Sequence, residues 1–169
     1  KGVEVNKGAT VTLRNCLIYG GEKRANGIQF GGENLKVINC SIAGVSTGVT
    51  AGVWREDAKL VIRNSAFLDC DQNYKLNKPV KEGLTLEFDS DYNVMTPAPI
   101  NLEGTVFSPG KWEEFRAQTG FEKHSAQAEY DGPMPPMALP ELSGRVDHSG
   151  KIGAKLGPDE AYGADLRRH

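Results

Sequence analysis

Three stretches of this chain can be written beneath one another, and that repeat restricts its fold more than any other feature. The first is Gly2-Val3-Glu4-Val5, a short turn, then Val11-Thr12-Leu13-Arg14-Asn15-Cys16-Leu17-Ile18. The second is Gly27-Ile28-Gln29-Phe30, a turn, then Leu35-Lys36-Val37-Ile38-Asn39-Cys40-Ser41-Ile42. The third is Gly48-Val49-Thr50-Ala51, a longer turn, then Leu60-Val61-Ile62-Arg63-Asn64-Ser65-Ala66-Phe67. Asn15, Asn39 and Asn64 stand 24 and 25 residues apart, a period typical of solenoids.

Within each period apolar and outward residues alternate at period two, as in Val3 and Val5, Val11 and Leu13, and Cys16 and Ile18. No period holds the 10 to 12 residues of helical spacing that a βαβ unit needs, and a Leu-rich consensus is missing. The spacing predicts three short strands per coil, with coils stacked in parallel around one apolar column. Val3, Val5, Val11, Leu13, Ile28, Phe30, Leu35, Val37, Val49, Leu60 and Ile62 are the residues expected to fill it.

The aligned asparagines suit a sharp bend between strands, because Asn tolerates left-handed backbone. Their amides are expected to be buried and bonded from coil to coil as a ladder. Cys16 and Cys40 occupy equivalent positions and Cys70 ends the third repeat, so all three are expected to pack as reduced, small hydrophobic side chains. No CxxC or paired His spacing occurs, and no metal centre is expected.

A fourth coil is weaker in the pattern. Leu84 to Asp89 alternates, with Asp89 holding the 25-residue spacing, and residues 69–83 read as a long loop. After Phe107 the character changes. Ser108-Pro109 predicts a helix near 109–119, with Trp112, Phe115 and Ala117 as its apolar face and Gly120 as its stop. From 131 onward Pro and Gly dominate, which predicts an irregular tail along the coils. The expected organisation is therefore residues 1–107 as coils and 108–169 as helix plus extended segment.

At 169 residues and a net charge of −2, the chain carries no dominant basic footprint, and a nucleic-acid partner is not expected. No apolar run approaches the roughly 18 residues of a spanning helix, so no membrane partner is expected. The chain enters strand-like alternation at once. It therefore reads as the C-terminal part of a longer protein, its first coil partnered by missing N-terminal coils or by self-association through that open end.

Asn26 to Phe30 (Asn-Gly-Ile-x-Phe), followed by Leu35 to Cys40, is similar to the standard coil of the pectin-lyase-like superfamily. Ser90-Asp91-Tyr92-Asn93-Val94 resembles the "DYNLY" segment of many such proteins, and Trp112, Gly120 and His124-Ser125 follow in the order of their Trp helix and "G-x-x-x-HS" element. The resemblance implies an all-β, right-handed parallel β-helix of about four coils. It also implies polysaccharide as partner and a secreted, periplasmic or cell-surface location. The function implied is polysaccharide binding, or part of a polysaccharide lyase or glycoside hydrolase with some of its cleft elsewhere. A non-catalytic solenoid spacer is the competing class.

In that family substrates lie along the outer face of the first strand of successive coils. This marks Glu4, Gln29 and Thr50, flanked by Lys23, Arg24, Glu33, Trp54, Arg55, Glu56 and Asp57. In the cluster Trp54-Arg55-Glu56-Asp57 the indole would stack on a sugar ring while the charges orient hydroxyls. Glu4 and Glu33 or Asp57 would supply carboxylates, and Arg24 or Arg55 a cation. Paired carboxylates are what a glycosidase needs, but no catalytic residue is singled out. No cofactor is expected; calcium is the one ion considered, at Asp69 and Asp71. His124 and Ser125 lack a visible orienting group and oxyanion hole, and are expected to fix the chain end onto the stack.

Overall fold

The computed structural model describes residues 2–21 and 25–130; Lys1, Glu22, Lys23, Arg24 and the expected tail from 131 lie outside the described residues. The first coil is β1 (Val3–Val5), β2 (Thr10–Arg14) and β3 (Leu17–Tyr19). The second is β4 (Asn26–Phe30), β5 (Asn34–Ile38) and β6 (Ser41–Ala43). The third is β7 (Thr47–Ala51), β8 (Ala58–Arg63) and β9 (Ala66–Leu68), and the fourth β10 (Gln72–Leu76), β11 (Leu86–Asp91) and β12 (Val94–Met95). β13 (Ile100–Leu102) begins a fifth turn, and β14 (Thr105–Phe107) folds back on it antiparallel.

Three sheets result. The first runs β1-β4-β7-β10-β13-β14, the second β2-β5-β8-β11, and the third β3-β6-β9-β12, extended by β15 (Ala126–Gln127). Apart from β13–β14 every pairing is parallel, with Val3 level with Ile28, Ile28 with Val49 and Val49 with Tyr74. The chain is an all-β solenoid.

The alternation predicts its core. Ile28, Phe30, Leu35, Val37, Val49, Leu60 and Ile62 are buried with Val5, while Val3, Val11 and Leu13 are half-buried against the same column. Each fully buried aliphatic contributes about 1.5–3 kcal/mol. Phe67, Tyr74, Phe88 and Phe121 continue the column edge to face, at centroid separations of 5.0, 5.6 and 4.7 Å. Glycine opens successive first-sheet strands because neighbouring coils approach there. A methyl group at Gly48 would stand 2.7 Å from the Asn73 carbonyl and 2.6 Å from the Phe67 ring.

Asn15, Asn39 and Asn64 do form the bends, at φ of 55°, 53° and 50°. The expected amide ladder is not what joins them. The three are half-buried, and among the described residues Asn39 Oδ1 is enclosed without a hydrogen-bond partner. The ladder lies one residue on, where side chains turn inward after the bend. The Cys40 N–H donates to Ser65 Oγ (3.2 Å), the Ser65 N–H to Asn93 Oδ1 (2.8 Å) and the Asn93 N–H to Ser125 Oγ (2.7 Å). All three cysteines are reduced, and burial pushes the Cys40 thiol up to about 12.

The fourth coil corrects two expectations. Residues 69–83 contain a core strand, β10, whose Tyr74 and Leu76 are buried beneath polar neighbours. Asp89 is level with Val61, not with Asn64; the bend falls on Tyr92, at φ 60°. The extra residues sit between β10 and β11, in a turn held by the Val80 N–H on the Val53 carbonyl.

Past Ser108, a 3-10 turn (Pro109–Lys111) leads into α1 (Trp112–Thr119), closed by Gly120 at φ 73° with its N–H on the Arg116 carbonyl. Phe115 is the buried residue of the helix and Trp112 leans on it at 5.7 Å. Ala117 is exposed, so the apolar face is narrower than its spacing suggests. The chain then crosses the fourth coil and pairs β15 with β12.

Candidate functional site

On the outer face of the first sheet, Glu4, Gln29 and Thr50 are level with one another on β1, β4 and β7, and Lys75 on β10 continues the row. Where these strands end, Gly31 and Gly52 occupy the corner. Trp54, in the turn from β7 to β8, lays its indole across both. A methyl group at Gly31 would stand 3.3 Å from the ring, and one at Gly52 3.1 Å. Larger side chains there would lift the indole off the backbone. With the glycines beneath it, the ring is seated on one side, and Trp54 as a residue is 57% exposed.

The indole is one wall of a groove of about 360 Å³. Glu4 and Gln29 line it from the strands, Arg55 and Glu56 from the turn, and Asn6 and Lys7 from the turn after β1. The groove thus brings together five of the residues marked in the sequence: Glu4, Gln29, Trp54, Arg55 and Glu56. Chemically its described residues offer an aromatic face, two carboxylates as acceptors, two cations and two amides as donors.

Other marked residues lie elsewhere. Thr50 belongs to the outward row but does not line the groove, and its hydroxyl oxygen is enclosed. Asp57 accepts from the Thr85 N–H (2.8 Å) and hydroxyl (3.1 Å), which ties two successive turns together. With Glu33 and Glu56 it lines an adjoining depression of about 530 Å³. Arg24 and Lys23 lie outside the described residues. The Asp69 N–H donates to Thr96 Oγ1 and the Asp71 N–H to the Val45 carbonyl. Among the described residues no group of three or more His, Cys, Asp or Glu side chains is placed to hold a metal.

Sequence reasoning missed Asn6 and Lys7. They follow β1 at the positions that Gly31 and Gly32 take after β4, so extending the repeat by two residues would have found them. It also missed a polar cluster inside the C-terminal end. Glu122, 0% exposed, accepts from Tyr74 (2.8 Å), Asn93 Nδ2 (3.0 Å), Ser90 and Ser125. Burial raises its carboxyl above the ordinary value, and those hydrogen bonds act against the rise. Burial, then the neighbouring Glu122, pushes the Tyr74 phenol well above its ordinary value.

Beside it, His124 Nδ1 lies 2.7 Å from Asp91 Oδ2, and the ring stacks on Tyr92 at 4.7 Å. Ser125 Oγ is engaged by Glu122 and the Asn93 N–H. The imidazole addresses Asp91, so the adjacent pair is not arranged as nucleophile and base. It fastens the crossing segment to the fourth coil.

No family model matches this chain, and comparison with curated proteins and with solved structures found no match.

Proposed function

We propose that this chain is a polysaccharide-binding parallel β-helix of the pectin-lyase-like type, which holds its glycan on the outer face of the first sheet. The observation that carries the reading is convergence. An exposed indole seated on two glycines stands in one groove with carboxylates, amides and cations from successive coils. An aromatic face packs against the apolar face of a pyranose, and a few directed polar groups fix its hydroxyls. A spacer would have its charges scattered along the coils.

If the groove also cleaves its ligand, Glu4 and Glu56 are the carboxylates within it, and a glycoside hydrolase uses such a pair. The reading implies a secreted, periplasmic or cell-surface setting, where polysaccharide is met. Affinity electrophoresis of the full chain through gels containing soluble polysaccharides tests it. Retardation that Trp54→Ala abolishes is the expected result; equal mobility in every gel would leave the spacer class standing instead.

A further inference from the structure

We infer that the groove accepts an uncharged pyranose chain and discriminates against polyuronates, an inference that rests on the polysaccharide reading and concerns the charge of the glycan alone. Among the described residues the charges lining the groove balance, Glu4 and Glu56 against Lys7 and Arg55. Glu56 also lines the adjoining depression, so the two form one continuous surface around the corner between the first and second sheets.

There the balance is lost. Glu33, Asp57 and Glu87 join Glu56, and the cation in that lining among the described residues, Lys59, is already paired with Glu87. A glycan crossing the indole and turning the corner therefore meets an excess of carboxylates. Lys75, the next cation along the outward row, lies one coil beyond Thr50 and outside the groove lining.

Like charges brought face to face in a contact cost affinity and reject the wrong partner. Sugar hydroxyls do the opposite, because a hydroxyl donates to a carboxylate in a charge-assisted hydrogen bond stronger than a neutral one. Asp57 gives a local example, accepting the Thr85 hydroxyl. The same carboxylates that repel a uronate thus serve as acceptors for a neutral chain.

The test is affinity electrophoresis of the full chain in gels of hydroxyethylcellulose, galactomannan and mixed-linkage β-glucan, beside gels of polygalacturonate and alginate with and without calcium chloride. Retardation is expected in at least one neutral gel, with polyuronate affinity weaker by about tenfold or more at low salt. Glu33→Lys should narrow that gap, and so should added salt, because the repulsion is screened. Tighter binding to either polyuronate than to every neutral glycan would overturn the inference and leave the polysaccharide reading intact. Retardation in none of the gels would overturn both.

Discussion

The Tyr74 hydroxyl donates to Glu122 Oε1 at 2.8 Å, joining the first strand of the fourth coil to a segment 48 residues further along the chain. Ser90 and Asn93 reach the same carboxylate from the bend of that coil, and Ser125 from the crossing segment itself. A carboxylate so enclosed is tolerated because every side of it meets a donor. It is the polar counterpart of the aliphatic column.

Glu122→Ala would strip an acceptor from four buried side chains. Buried polar groups left without partners cost about 1–3 kcal/mol each, so a loss of at least about 3 kcal/mol is expected in urea unfolding. The pH dependence has a definite sign. Burial raises this carboxyl above its ordinary 4.5, against the hydrogen bonds it accepts, so the native chain keeps the proton to higher pH than the unfolded chain. Its contribution is complete below the ordinary value and falls as pH rises through the raised one. Wild-type stability should therefore decline relative to Glu122→Gln as pH rises above the ordinary 4.5.

Asp91 should behave oppositely. Burial alone would raise its carboxyl, but the His124 N–H and imidazole and the Tyr92 N–H hold it below the ordinary 3.8, and Arg63 stands 3.6 Å from the same Oδ2 that the imidazole meets. Stability from this group is present above the ordinary value and lost as pH falls through the lowered one. Asp91→Asn should lower the unfolding midpoint at about pH 7, and the difference between the two chains should shrink as pH falls below the ordinary 3.8 and through the lowered value.

At the bends, Asn39→Ala should cost about 1–2 kcal/mol, the left-handed backbone penalty at φ 53°. Asn39→Gly should cost less, since glycine adopts that conformation freely. Ser65→Ala should cost about 1–3 kcal/mol, because it strands the buried Cys40 N–H. Equal losses for Asn39→Ala and Asn39→Gly in urea unfolding would restore the amide ladder as the reason for asparagine there.

How far the fold was legible depends on where the period held. In the first three coils inward aliphatics and a repeated Asn agree, and register and core follow from them. In the fourth, Gln72, Asn73 and Lys75 surround the buried Tyr74 in the sequence, so a core strand reads as a polar loop. The insertion before β11 then moves the bend from Asp89 to Tyr92. The groove was legible through Trp54, Arg55 and Glu56, whose turn sits outside the apolar column. Asp57 could not be separated from them, since its partner Thr85 lies in another coil. Glu122 left no trace, because a carboxylate carries no mark of burial and its four donors are scattered from Tyr74 to Ser125.

At the groove, Trp54→Ala should leave urea stability within about 0.5 kcal/mol, as expected for an exposed side chain, while glycan affinity falls by about tenfold or more. Gly52→Ala is the subtler probe. Its methyl group, 3.1 Å from the indole, would displace the ring without removing it. Affinity several-fold below wild type, with tryptophan fluorescence shifted, is expected; unchanged affinity would show that the seating of the ring is immaterial.

The ladder beside the bends also fixes what can be exchanged when such a protein is recombined. Each rung takes its donor from one coil and its acceptor from the next: Cys40 leans on Ser65, Ser65 on Asn93, Asn93 on Ser125. A cassette cut at coil boundaries would separate every main-chain donor from the side chain that answers it. The heritable module is therefore out of phase with the visible one, and a transplanted coil keeps its grammar only if the residue after the following bend travels with it.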